Sequence, residues 1–339
     1  MRKITIVCLI FVLVLSFAGC TREAPRSETL ESVMMLTYGG TVGAGTFSEQ
    51  VWEGLYALDK KVIHMSYVEL ESVEDFETKM YNAVMNSRMV WISEGAGAEA
   101  ALTAAETLPY TNFAVLDALF DNPPANLIGV SFRTCEGAFL AGYIAGKTTK
   151  TNAIGFIGGM NIAMINEIEY GYRAGALVAA KETGKQIEVK AVYTDTFEDK
   201  EKGSVAAKEM YDGGADIIFQ AAARCGIGVI ETAKQENKYV IGIDTDQSEL
   251  APQNVLTSVV RNTAKQIEMI TENVAKSQLV GGENFVYGLA DGGVDLAQTN
   301  DNIDPQVYAA AMEMKQKIIE GSLSVPKDAQ SYTAFEAVQ

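Results

Sequence analysis

The sequence predicts an α/β protein built as two lobes, and three observations lead there. Short β-branched runs alternate with helix-length segments whose apolar residues recur at three-to-four spacing, the pattern of parallel sheets covered on both faces. Eleven such runs are too many for one small sheet but suit two. The chain of 339 residues is also longer than a single core usually fills.

The first five strand runs are Val33–Thr37, Val62–Val68, Met89–Ser93, Phe113–Leu116 and Leu127–Phe132. Six more follow at Ala153–Ile157, Glu188–Tyr193, Asp216–Gln220, Tyr239–Ile243, Val255–Val260 and Phe285–Leu289. Helical segments are read at Phe47–Leu58, Phe76–Met85, Glu136–Lys147, Glu167–Glu182, Glu201–Tyr211, Ile227–Glu236, Thr263–Lys276 and Pro305–Ile319. The chain changes lobe after Phe132 and again near Val260. The N-terminal lobe is therefore assigned residues 33–132 plus 259–288, and the C-terminal lobe 133–258 plus 289–339. A cleft lies between them.

The N-terminus carries its own message. Arg2 and Lys3 precede an apolar run, Ile4 to Phe17, that is shorter than the ~20 residues a bilayer span needs. A positive start, a short apolar core and small residues before a cut site describe a signal peptide, residues 1–19. The stretch Ser16-Phe17-Ala18-Gly19-Cys20 resembles a bacterial lipobox, in which the cysteine thiol receives diacylglycerol and becomes the mature N-terminus. Each buried methylene contributes ~0.8 kcal/mol, so two or more chains make a stable anchor. Polar residues 20–32 then read as a lipidated tether, placing the body on the outer face of the cell membrane.

Charge and composition narrow the function classes. A net charge of -17 disfavours nucleic acid and anionic lipid as partners. Cys135 and Cys225 could pair, but each also sits where a small buried residue would serve, and two free thiols are favoured. The single histidine, His64, lies in an alternating strand-like run and reads as structural, so neither metal nor cofactor is expected.

Candidate functional residues gather where strands end, because ligands of open parallel sheets bind outside the carboxyl ends of strands. The glycine loop from Gly39 to Gly45 fits neither G-x-G-x-x-G nor a Walker A motif, which would need a lysine. No Cys/His pair with a plausible orienter, no G-x-S-x-G and no H-E-x-x-H is present, and no catalytic residue is assigned. Asp244 and Asp246 are two apart in an extended run, which suits two contacts to one polar ligand as well as acid–base work. Phe47 and Phe197 stand at element ends beside polar residues, and an aromatic face stacks on a planar heterocycle for roughly 1 kcal/mol beyond its area. Asp117, Asp244 and Asp291 can accept hydroxyl hydrogen bonds worth ~1.5–3 kcal/mol each when charge-assisted. For any one of these acids, a helix cap or turn role is the simpler account. As a set at strand ends they suit a nucleoside or a sugar.

Five segments then carry a resemblance. Glu136-Gly137-Ala138-Phe139-Leu140-Ala141-Gly142, Gly155-Phe156-Ile157-Gly158-Gly159-Met160, Met210-Tyr211-Asp212-Gly213-Gly214-Ala215-Asp216, Gly242-Ile243-Asp244-Thr245-Asp246-Gln247 and Asp291-Gly292-Gly293-Val294 resemble the basic membrane protein family, which includes purine nucleoside receptor lipoproteins. The likeness runs from about Val33 to Pro326. It implies a type I periplasmic-binding fold of two Rossmann-like lobes with a hinge. It implies, too, a monomeric receptor for an ABC importer, with a permease as partner and a nucleoside, purine first, as ligand.

By that resemblance Phe47 and Phe197 stack on the base, Asp117 and Asp244 face the ribose, and Arg261 stands where the family has lysine. Thr46, Ser48, Asp291 and Gly292 complete the set of ligand-contacting positions. The family pattern Asn-Asp-x-Ser-Phe-Asn is replaced by Gly43-Ala44-Gly45-Thr46-Phe47-Ser48, which removes an acid and an amide near the base. Its His-Ala-Ala-Gly-Gly run becomes Gln220-Ala221-Ala222-Ala223-Arg224. The sugar half of the site looks kept and the base half rewritten. Another small polar ligand, such as a sugar, or a surface role in protein interaction therefore remains as an alternative.

Overall fold

The computed structural model describes residues 30–38, 47–58, 62–72, 74–84, 87–276, 281–299 and 301–338. The signal segment 1–19, Cys20 and the first part of the tether lie outside these, as do the loop from Gly39 to Gly45 and Thr46.

The first sheet begins with β1 (Leu30–Tyr38), so residues 30–32, assigned to the tether, are strand. It continues through α1 (Phe47–Tyr56), β2 (Val62–Leu70), α2 (Asp75–Val84), β3 (Met89–Ile92), α3 (Ala98–Thr107), β4 (Asn112–Leu116) and β5 (Leu127–Phe132). The chain then crosses into α4 (Thr134–Thr148), β6 (Ala153–Gly158), α5 (Ala163–Thr183), β7 (Glu188–Tyr193), α6 (Lys200–Asp212), β8 (Ile217–Ala221), α7 (Arg224–Gln235), β9 (Tyr239–Asp244) and β10 (Val255–Arg261). It returns with α8 (Thr263–Ala275) and β11 (Glu283–Tyr287), then leaves again for β12 (Val294–Leu296), α9 (Pro305–Ile319) and α10 (Ala329–Val338).

The two sheets share one plan. The first runs β11-β5-β4-β3-β1-β2 and the second β12-β10-β9-β8-β6-β7. All pairings are parallel except β10–β12, which is antiparallel. Each sheet reverses its winding beside its first strand, between β1 and β3 and between β6 and β8, and such switch points open crevices at the strand carboxyl ends. This is the two-lobed α/β architecture of the periplasmic-binding fold. All of β10 pairs in the second sheet, so the return to the first lobe starts at Asn262 rather than at residue 259.

Three elements escaped the sequence reading. Helix α3 buries only Ala101, Ala104 and Ala105, a stripe too small to register as an apolar face. Helix α10 buries Phe335 alone, which meets Phe139 edge-on with ring centroids 6.4 Å apart. Strand β12 is three residues long, below the length at which alternation shows. His64 also departs from expectation: it lies exposed on β2, at a sheet edge.

The tightest packing joins α4 to α5, and glycines make it possible. A Cβ on Gly142 would come within 1.9 Å of the Tyr172 carbonyl oxygen, and one on Gly175 within 1.9 Å of that of Phe139. The segment Glu136–Gly142 is thus a helix-contact motif. Gly142→Ala gains about 1 kcal/mol of helix propensity, but overlap with backbone carries the upper end of the ~1–3 kcal/mol overpacking cost. A net loss of about 2 kcal/mol is expected in urea unfolding; an unchanged midpoint would mean the helices part freely.

Candidate ligand site between the lobes

Strand-end residues from both sheets converge on Arg261, the last residue of β10. Its Nε donates to Asp244 Oδ1 at 2.7 Å, within its own lobe. Its Nη1 donates to both oxygens of Asp117, at 3.0 and 3.1 Å, across to the first lobe. The guanidinium carbon stands 4.0 Å from the ring centroid of Phe47, the first residue of α1, and 5.6 Å from that of Phe132. The three charged side chains are only 8%, 11% and 18% exposed for Arg261, Asp117 and Asp244 respectively. Charges removed from water to this degree must be paired, and here one cation faces two anions.

The imbalance is felt by Asp244. Burial pushes its carboxyl above the ordinary aspartate range, the Asp117 charge pushes the same way, and Arg261 opposes both. Burial alone would lower the Arg261 guanidinium, but Asp117 and Asp244 together raise it instead. With one cation between two buried carboxylates, the cluster suits further hydrogen-bond donors, the chemistry of a hydroxylated or cationic ligand.

The backbone at these strand ends is held out of the common regions. Asp117, Asp195, Ala223 and Asp244, which end β4, β7, β8 and β9 or follow them closely, have φ of 54°, 56°, 48° and 70°. Left-handed geometry in non-glycine residues costs of order 1–3 kcal/mol and gathers at binding sites. Close to Asp244 in the chain, a buried amide relay ties β8, β9 and β10 together. Gln220 Nε2 donates to Gln247 Oε1 at 2.8 Å, that oxygen also accepts from the Ile243 N–H, and the Gln247 N–H donates to Ser258 Oγ.

Beside the cluster lies a cavity of about 600 Å³ that meets it at Asp117. Its walls include Phe132 and Thr134 at the first crossing, Glu167 and Tyr170 of α5, and Lys327. The sequence pattern starts the helix at Glu167 and gives that residue no part in a site, whereas α5 begins a turn earlier and Glu167 lines the cavity. Burial raises its carboxyl, and one oxygen accepts from the Cys135 thiol at 3.2 Å. Cys135 and Cys225 are both free and buried.

The remaining assigned positions fall in three places. Ser48 is turned inward, its hydroxyl 2.7 Å from that of Thr37. Phe197 lies between β7 and α6 with its ring packed against Gly159, and among the described residues no ring or cation contact links it to Arg261. Asp291 and Gly292 occupy the last crossing between lobes. One Asp291 oxygen accepts from the Gly288 and Gly293 N–H groups, and the Gly292 carbonyl accepts from Asn262, the residue after Arg261. Asp246 accepts from the Ser248 N–H at 3.0 Å and closes a turn, whereas Asp244 pairs with Arg261.

Two lobes of like topology, crossed three times by the chain and meeting over a charged, aromatic-lined cleft, define a two-lobed ligand receptor. Comparison with known proteins agrees. The family described as ABC transporter substrate-binding protein PnrA-like matches residues 31–329, and the chain belongs to it. It is 33% identical over 345 residues to Basic membrane protein A of Borreliella burgdorferi, covering 99% of this chain and 98% of that one. It is 38% identical over 262 residues to Basic membrane protein B of Borreliella afzelii, covering 75% and 74%. Among solved structures, an ABC transporter system solute-binding protein from Aeropyrum pernix superposes with a TM-score of 0.81 at 21% identity, covering 90% of this chain and 96% of that one. A transcriptional activator of the comK gene from Bacillus halodurans shares the fold as well, with a TM-score of 0.72 at 19% identity, covering 86% and 99%. The protein is thus an ABC transporter substrate-binding protein by family.

One consequence of the strand-end geometry can be measured directly. Ala223 combines φ 48° with ψ -121°, a conformation suited to glycine. Ala223→Gly is expected to stabilise the protein by about 1 kcal/mol, seen as a higher urea midpoint at unchanged slope. A lower midpoint would argue against strain at this position.

Proposed function

We propose that this protein is a lipid-anchored receptor that captures a nucleoside, purine first, in the interlobe cleft and delivers it to the permease of an ABC importer. The observation that carries this reading is the meeting of Asp117 and Asp244 from opposite lobes at one point, beside the ring of Phe47. Two carboxylates there suit paired ribose hydroxyls, each such bond contributing ~1.5–3 kcal/mol. An adjoining aromatic face suits a flat base. Because the carboxylates belong to different lobes, one ligand touching both draws the lobes together, and a closed form is what a permease can recognise. Phe197 is proposed as the second stacking ring, and Gly292 and Asp291 as the hinge-side edge of the site.

The anchor rests on the sequence around Cys20. No helix among the described residues is long and apolar enough to cross a membrane, and attachment by acyl chains at Cys20 would hold the receptor at the outer face of the cell membrane. Labelled palmitate is expected to enter the wild-type chain in growing cells and to be lost in Cys20→Ser. Retained label in that variant would refute the assignment.

For the ligand, the measurement is thermal unfolding of the purified mature protein with a panel of nucleosides and free sugars. A nucleoside at a hundred times its Kd should add about 2.7 kcal/mol of stability. Phe197→Ala should weaken the affinity about fivefold through lost stacking. A response to ribose but to no nucleoside would replace the nucleoside with a sugar. Unchanged affinity in Phe197→Ala would remove that ring from the site.

A further inference from the structure

The cavity beside the cluster is a chamber of its own, and its charges are not all matched within the chain. It measures about 600 Å³, inside the ~300–1,000 Å³ range of small-molecule pockets. The first lobe supplies Asp117, Leu119 and Phe132, and α5 supplies Met164 and Glu167. Lys327 and Asp328, just before α10, complete the part that carries charge. Of the four charged side chains, two are already engaged. Both oxygens of Asp117 accept from Arg261. Asp328 caps α10, one of its oxygens accepting from the Ser331 N–H at 2.7 Å and from the Ser331 hydroxyl at 2.8 Å. Glu167 and Lys327 remain, and among the described residues neither forms an ion pair.

Both are positioned without being neutralised. The Cys135 thiol donates to Glu167 Oε1 at 3.2 Å, which orients the carboxyl and leaves Oε2 unengaged among the described residues. Ser331 Oγ accepts from the Lys327 and Asp328 N–H groups at 3.1 Å each, which fixes the backbone that carries the lysine. Burial raises the Glu167 carboxyl and Lys327 acts against it, so the two charges sense each other across a gap too wide for an ion pair. A ligand that completes the chamber needs an ammonium for Glu167, a carboxylate for Lys327 and an apolar body for Leu119, Phe132 and Met164. A molecule with only one charge would take water from the other side chain and leave it unpaired, which is costly. An α-amino acid carries the ammonium, the carboxylate and the side chain on one carbon.

We propose that this chamber is a second ligand site of the receptor, for an α-amino acid with an apolar side chain, its ammonium on Glu167 and its carboxylate on Lys327. The site does not depend on the nucleoside reading, because it uses none of Phe47, Asp244 or Arg261.

Isothermal titration calorimetry of the purified mature protein with leucine, methionine and phenylalanine tests it. Saturable binding of at least one is expected. The methyl ester of that amino acid, which lacks the carboxylate, and its deaminated acid, which lacks the ammonium, should each bind about tenfold more weakly, the loss of one charge-assisted bond. Glu167→Gln and Lys327→Met should each weaken the amino acid by a similar factor. Lys327 is exposed, so Lys327→Met carries the test if Glu167→Gln does not fold. Binding of none of the three amino acids would overturn the proposal. So would wild-type affinity in either folded variant, or equal affinity for the methyl ester.

Discussion

The buried Asp117–Arg261–Asp244 cluster is the constraint on which the rest of this structure turns. Three charges share one poorly solvated spot, and the only cation among them must satisfy carboxylates that arrive from separate sheets. That requirement fixes where β4, β9 and β10 may end. Left-handed backbone at Asp117 and Asp244 aims both side chains at the same point, and the relay from Gln220 through Gln247 to Ser258 holds the strand ends in place. Phe47 joins because a guanidinium short of water gains from an aromatic face.

The hinge follows a similar logic with weaker partners. Glu136 pairs with Arg133 through one oxygen at 2.7 Å and accepts from the Leu289 N–H through the other, so the first crossing is tied to the third. Asp291 closes the turn of the third crossing on two backbone N–H groups, and Asn262 ties the second crossing to it through Gly292. All three crossings are thus bound side by side by hydrogen bonds. Such a joint can bend while the sheets on either side stay rigid.

These details give physical content to the family motifs. Glu136 to Gly142 combines a hinge clamp with a glycine contact between α4 and α5. Asp291-Gly292-Gly293 is a hinge turn, and Gly159 makes room for the ring of Phe197. None of these needs a ligand to explain it. The departures are more telling for specificity. Ser48 spends its hydroxyl on Thr37, so the start of α1 offers the cleft the ring of Phe47 but not that hydroxyl. Polar character on the opposite wall comes instead from Glu167 of α5, a residue that no motif marks.

Local patterning was enough to establish the two-lobed α/β architecture, most of the strands, the strand-end location of Asp117 and Asp244, and the place of Phe47 at the start of a helix. Hydrophobic periodicity is a local property, and a carboxyl end of a parallel strand is a cleft position wherever it occurs. It missed α3, α10 and β12, whose buried faces are too small or too short to leave a period. Tertiary structure alone decided which strand-end acids act together. Asp244 and Asp246 are near neighbours in sequence yet serve different partners, while Asp117 and Arg261 are 144 residues apart and form one ion pair. Spacing along the chain cannot encode that meeting. It arises from the way three crossings bring the strand ends of one sheet to those of the other, which also makes Arg261 the side chain that bridges the two lobes.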